Sequence, residues 1–156
     1  MSFEELDHTA DFLFRCRGSS PEELFSESAR AMFSIMFENN DITDPNYPEE
    51  LNNLNDTDCA RVTKTIELES DSLSNLLIDF LSELLFVAEV DCLVLSRVNP
   101  KITGNSLKAQ VFGEPFVLEK HGGGTEIKGI SRSGAEITEV YEGNNRYYQA
   151  EIIFDV

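Results

Sequence analysis

From Ser70 to Val90 the chain reads SDSLSNLLIDFLSELLFVAEV. Leu73, Leu76, Leu77, Phe80, Leu81, Leu84 and Leu85 recur at helical spacing, and Asp71 or Ser72 can cap the start. A helix this apolar must bury a broad stripe, so the remainder has to supply a surface that covers it. Asp79 and Glu83 are four residues apart off the stripe. Such a pair can bind a metal, but a solvated face is the favoured expectation.

A second helix is expected within GSSPEELFSESARAMFSIMFEN, Gly18 to Asn39. Ser20 suits the cap, Pro21 the first helical position, and Glu23 completes a capping box. Phe25, Ala29, Met32 and Met36 share one face, widened by Leu24, Phe33 and Ile35, and this stripe reads as core rather than as a cofactor site. Everything else with a pattern reads as strand. RVTKTIELES alternates, with Val62, Lys64, Ile66 and Leu68 on one face. DCLVLSRV, SLKAQVFG, EIKGISR, AEITEVYE and RYYQAEIIFDV are strand-rich runs separated by Gly, Asn, Pro and Ser. The segment EGNNR, Glu142 to Arg146, holds a hairpin turn. The first strand is expected from Asp11 to Arg17.

These elements predict an α+β fold: a two-layer single domain over residues 1–156, with a mainly antiparallel sheet packed against two helices. A chain of 156 residues can bury a core without disulfide or metal staples. A long acidic Asn/Asp-rich loop at about 39–60 interrupts it, with neither flank large enough to fold alone.

The charge excludes one class of function. Against 12 basic residues stand 29 acidic ones, a net charge of −17 that repels phosphate backbones, so strong direct nucleic-acid binding is not expected. Cys16, Cys59 and Cys92 are widely spaced and odd in number, which predicts reduced thiols in a cytoplasmic protein. No segment approaches the roughly 18 apolar residues of a membrane span, and MSFEELDH is acidic, so neither insertion nor export is expected.

Two stretches could carry chemistry. HGGGT, His121 to Thr125, could present main-chain amides to an oxyanion, as in lipase-type hydrolases, but GISRS ends in Ser where a nucleophile elbow requires Gly. The alternatives are a glycine loop between strands or a partner-facing surface on which Lys128 offers a cation. At the end of the chain, Asp155 and the Val156 carboxylate would form a compact pair of hard oxygen ligands. If the first strand lies beside the last, Asp11 joins them, a set that suits Ca²⁺ or Mg²⁺. The alternative for Asp7 and Asp11 is a turn before the strand, and a lone His8 favours a structural role.

LDHTADFLFRCRG, followed by ELFSESARAMFSIM, resembles the archease family, as do DSLSNLLIDFLSELLFVAEVD, VFGEPFVLEKHGGGTEIKGIS and the terminal IFDV. The resemblance runs end to end, apart from the long loop. It implies an accessory factor, not an enzyme, that activates the tRNA-splicing RNA ligase. That ligase joins 3′-phosphate or cyclic-phosphate ends to 5′-hydroxyl ends with GTP and a divalent metal. The factor promotes guanylylation of the ligase and its multiple turnover. The resemblance also implies a metal site at Asp11, Asp155 and Val156, the last through main-chain or terminal oxygen, holding Ca²⁺, Mg²⁺ or Mn²⁺. It places Lys128 on the functional surface, with His8, His121, Thr125 and Glu126 as further candidates. The location implied is cytoplasmic, or also nuclear in a eukaryote. This chain has KGIS where Lys-Ala-Ile-Thr is usual and Val in place of a final Ile. The competing expectation is a chaperone-like protein-binding module without a role in ligation; a metal-dependent hydrolase is weakest, for want of a nucleophile or general base.

Overall fold

The computed structural model describes residues 2–6, 11–37, 62–117 and 124–156. The expected loop at about 39–60, together with Asp7, His8, Cys59 and His121, lies outside the described residues. Along the chain come β1 (Ser2–Leu6), β2 (Phe12–Gly18), α1 (Pro21–Met36), β3 (Val62–Glu69) and α2 (Leu73–Val90). They are followed by β4 (Leu93–Thr103), β5 (Ser106–Pro115), β6 (Gly129–Ile130), β7 (Thr138–Glu142) and β8 (Asn145–Asp155).

Both helices start where their side chains can satisfy the first amides. Ser20 accepts from the Glu23 amide at 3.2 Å with Pro21 next in line, and Ser72 accepts from the Asn75 amide at 3.1 Å. Asp71 is therefore not the cap of α2; its carboxylate accepts from the Asn75 side-chain amide at 2.7 Å instead. The apolar stripes are buried as the spacing requires: Leu24, Phe25, Ala29, Met32 and Phe33 from α1, and Leu76, Leu77, Phe80, Leu81 and Leu84 from α2. The stripes meet where Phe25 stacks on Phe80, ring centroids 5.8 Å apart.

The architecture is α+β, with all strand pairs antiparallel. The strands divide into two sheets, a partition no local pattern in the chain announces. One is five-stranded, in the order β1-β2-β8, with β6 and β7 both on the far edge of β8; the other is three-stranded, β3-β5-β4. Helix α1 packs against strands of both sheets, and α2 against β3, β4 and β6.

Several boundaries differ from expectation. The first strand is β1, inside the acidic Ser2–Leu6 stretch; it is an edge strand, where exposed carboxylates cost little and only Phe3 must pack inward. Strand β4 continues through Pro100, which an edge position tolerates. EIKGISR contributes only Gly129–Ile130 to a sheet, and AEITEVYE only Thr138–Glu142. The expected hairpin closes with Glu142 opposite Asn145 and Gly143 at φ +60.

Candidate functional site

Strands β2 and β8 pair antiparallel with Phe14 opposite Ile152 and Phe12 opposite Phe154. Phe14, Cys16, Ile152 and Phe154 are buried, so their face is the inner one. Alternation then puts Leu13, Arg15, Glu151 and Ile153 on the outer face. Asp11 immediately precedes Phe12 and Asp155 immediately follows Phe154, so the two carboxylates flank the last pair of the ladder on that outer face. Among the described residues neither carboxylate makes an ion pair or a side-chain hydrogen bond. Farther along the same strands the Arg15 guanidinium is engaged by Glu151 at 2.9 Å and Glu4 at 3.3 Å, hydrogen bonds and charge that raise its pKa.

The other flank of Asp155 is formed by the segment 124–131. Gly124 lies against the main chain of Met36 at the end of α1, so tightly that a side-chain carbon would collide with that carbonyl oxygen. The Thr125 amide donates to the Ile35 carbonyl at 3.1 Å, and Ile127 is buried. The Lys128 amide then donates to the Asp155 carbonyl at 2.7 Å, Gly129 pairs with Asp155, and the Ser131 amide donates to the Ile153 carbonyl at 3.0 Å. A Cβ built on Gly129 would sit 3.7 Å from Asp155 Oδ2, which places that carboxylate over the glycine. Glu126 and Lys128, either side of the Ile127 anchor, face solvent.

The pairing of β8 with β2 and β6 thus puts Asp11, Asp155, Val156 and Lys128 at one end of the sheet, with Val156 directly beyond the end of β8 and exposed. Thr125 and Glu126 belong to the same segment but sit nearer α1. His8 and His121 are outside the described residues. Among the described residues no group of three or more His, Cys, Asp or Glu side chains lies within reach of one ion. A cation held at this end of the sheet would meet at most two carboxylates plus main-chain oxygen at Val156, all hard oxygen, a set that would suit Mg²⁺, Mn²⁺ or Ca²⁺ and disfavour zinc. Neither Asp79 nor Glu83 belongs to it: Asp79 forms an ion pair with Arg132. Sequence reasoning missed Gly124 and Gly129 as determinants of the site. For Gly124 the run HGGGT was the available signal, because consecutive glycines permit close backbone approach as well as loops. The Gly129–Ser133 segment runs from a two-residue strand into a turn, with no helix following as a nucleophile elbow requires.

Comparison with known proteins agrees with this arrangement of elements. The archease protein family matches residues 3–156. Protein archease of Methanosarcina barkeri is 33% identical over 99% of this chain and 95% of its own length. Protein archease-like of Drosophila melanogaster is 33% identical over 100% of this chain and 91% of its own. The solution structure of Methanobacterium thermoautotrophicum protein 1598 superposes with a TM-score of 0.67 at 25% identity, covering 99% of this chain and 98% of that one. No described helix is long and apolar enough to cross a membrane. With the family match spanning nearly the whole chain and the α+β architecture shared, this protein belongs to the archease family.

Proposed function

We propose that this protein activates a tRNA-splicing RNA ligase, promoting guanylylation of the ligase and its multiple turnover, and does not itself catalyse ligation. The observation that supports the reading is the juxtaposition at the end of β8: Asp11 and Asp155 flank one strand pair, and Lys128 is tied to Asp155 from the other side. Two carboxylates would leave most ligand positions of a divalent ion to water or to phosphate, which suits a Mg²⁺-type ion best. Asp11, Asp155 and Val156 would hold such an ion, and it would neutralise triphosphate charge while the ligase histidine is guanylylated. Lys128 offers a second positive charge beside the same carboxylates. Glu126 and Thr125, with His8 and His121, would border the contact with the ligase.

The charge of −17 favours this division of labour. An acidic factor does not compete for RNA, yet it is attracted to a basic, metal-dependent active site. The reading places the protein where the ligase works, in the cytoplasm or also the nucleus. The test is end joining by a cognate ligase under RNA excess, with this protein absent, present, or carrying Asp11→Ala or Asp155→Ala. Acceleration past a single turnover, lost in both folded variants, is expected. Equal acceleration by the variants would remove the carboxylate mechanism, and none by the unaltered protein would favour the protein-binding alternative.

A further inference from the structure

Strand β6 is two residues long, too short to keep a register unaided. Yet it places Lys128 against Asp155, so its ends must be fixed elsewhere. One end is the Gly124 and Thr125 contact with the last turn of α1. The other lies across α2. There Arg132 pairs with Asp79 and also donates to Asn75 Oδ1 at 3.4 Å, while the Ile137 amide donates to the Ser74 hydroxyl at 3.0 Å. Between these ties the chain turns sharply, with Gly134 at φ +77 and Ala135 buried. The stretch from Gly124 to Ile137 is therefore a strap, anchored on α1, on β8 and on α2 in turn.

We propose that Arg132 and Asp79 are positioning residues that hold this strap in register, and so hold Lys128 beside Asp155. The pair rests on the activator reading for its functional consequence, not for its structural one. Its worth is local. An ion pair on the surface adds little to global stability, but it closes the far end of a two-residue ladder that would otherwise open without unfolding the core. Asn75 and Asp71 extend it: Asn75 is bonded to Arg132 through its oxygen and to Asp71 through its amide, which fixes the acceptor geometry around the guanidinium.

The test uses the full chain with Arg132→Ala, with Asp79→Ala, and with the charge swap combining Arg132→Asp and Asp79→Arg. Hydrogen exchange is followed at the Lys128 and Ser131 amides, both of which donate to β8, and ligase acceleration is measured against concentration. Each single variant should exchange about tenfold faster at those two amides, with no change at the β2 and β8 core amides. The maximal acceleration should fall about tenfold with the half-saturating concentration unchanged, and the swap should restore both readouts. Unchanged exchange at Lys128 and Ser131, or full acceleration despite faster exchange, overturns the proposal. If Asp11→Ala leaves acceleration intact, the carboxylate mechanism fails separately, and if the unaltered protein gives no acceleration the activator reading fails; in either case the exchange measurement alone still decides the strap.

Discussion

The main-chain amide of Lys128 donates to the carbonyl oxygen of Asp155 over 2.7 Å, so a backbone bond, not a side-chain attraction, sets the distance between the lysine and the end of β8. Replacing the side chain and replacing the amide should therefore do different things. Lys128→Ala keeps the bond and removes the ammonium: Tm should move by about 1 °C or less, while ligase acceleration is lost. Lys128→Pro removes the donor and should loosen the strap, with a drop in Tm of several degrees on the order of one lost hydrogen bond. Thermal melts and end-joining rates on both variants check this. A Lys128→Ala protein that activates fully would mean the ammonium has no part in the site.

A divalent ion bound by Asp11 and Asp155 must stabilise the folded state by mass action. Millimolar Mg²⁺, Mn²⁺ or Ca²⁺ should raise the Tm of the unaltered protein, and a chelator should return it. Asp11→Asn and Asp155→Asn keep the size of each side chain and remove its charge, so either should abolish most of the ion-dependent shift. Identical shifts in all three proteins would assign ion binding to some other part of this acidic chain.

Gly124 and Gly143 need glycine for different reasons, and the costs of replacing them should differ. At Gly124 a Cβ would strike the Met36 main chain, which cannot move without disturbing the end of α1, so Gly124→Ala should cost about 1–3 kcal/mol. At Gly143 the space is open and only φ +60 is unfavourable, so Gly143→Ala should cost about 1 kcal/mol. Urea unfolding measures both. The strap model also requires Gly124→Ala to speed exchange at the Lys128 amide, which Gly143→Ala should leave unchanged.

Burial pushes the Cys16 thiol from 9.0 up to about 12, with the nearby Glu27 carboxylate adding to the rise and a hydrogen bond with Ser28 opposing it. Cys92 is exposed at the turn after α2. Alkylation at pH 8 followed by peptide mapping should label Cys92 and spare Cys16 until the protein is unfolded. The sign of the pH effect follows. Because the native state favours the neutral thiol, the contribution of Cys16 to stability is intact below pH 9.0 and is lost as the pH rises toward about 12. A Cys16→Ala variant should show a flatter alkaline limb in its stability profile; an unchanged limb would argue that another group governs it.

The family of this protein, and the candidate carboxylates, were legible in the chain because both depend on local order: Asp-His-Thr-Ala-Asp before a strand, and Asp-Val at the end of one. The pairing that makes them neighbours was only conditional at that level. Asp11 and Asp155 are separated by nearly the whole chain, and strand patterns fix which face a residue takes but not which strand it meets. Ser2–Leu6 escaped notice for a related reason. Its exposures alternate only weakly, and its strand character comes from the hydrogen bonds it makes with β2.

What the sequence determined by itself was the pair of amphipathic helices, the cap at Ser20, the turn at Gly143 and the acidic charge. Each of these is decided within a few residues, by side-chain spacing or by a single backbone preference. The tertiary structure alone decided the split into two sheets, the pairing that sets the strand after Asp11 beside the strand that ends at Asp155, and the strap that carries Lys128 between two helices. Those relationships depend on which distant surfaces bury one another, on where Gly124 allows two backbones to touch, and on the reach of Arg132 to Asp79. No periodicity within the chain encodes them, because their free energy is realised only when the elements have packed.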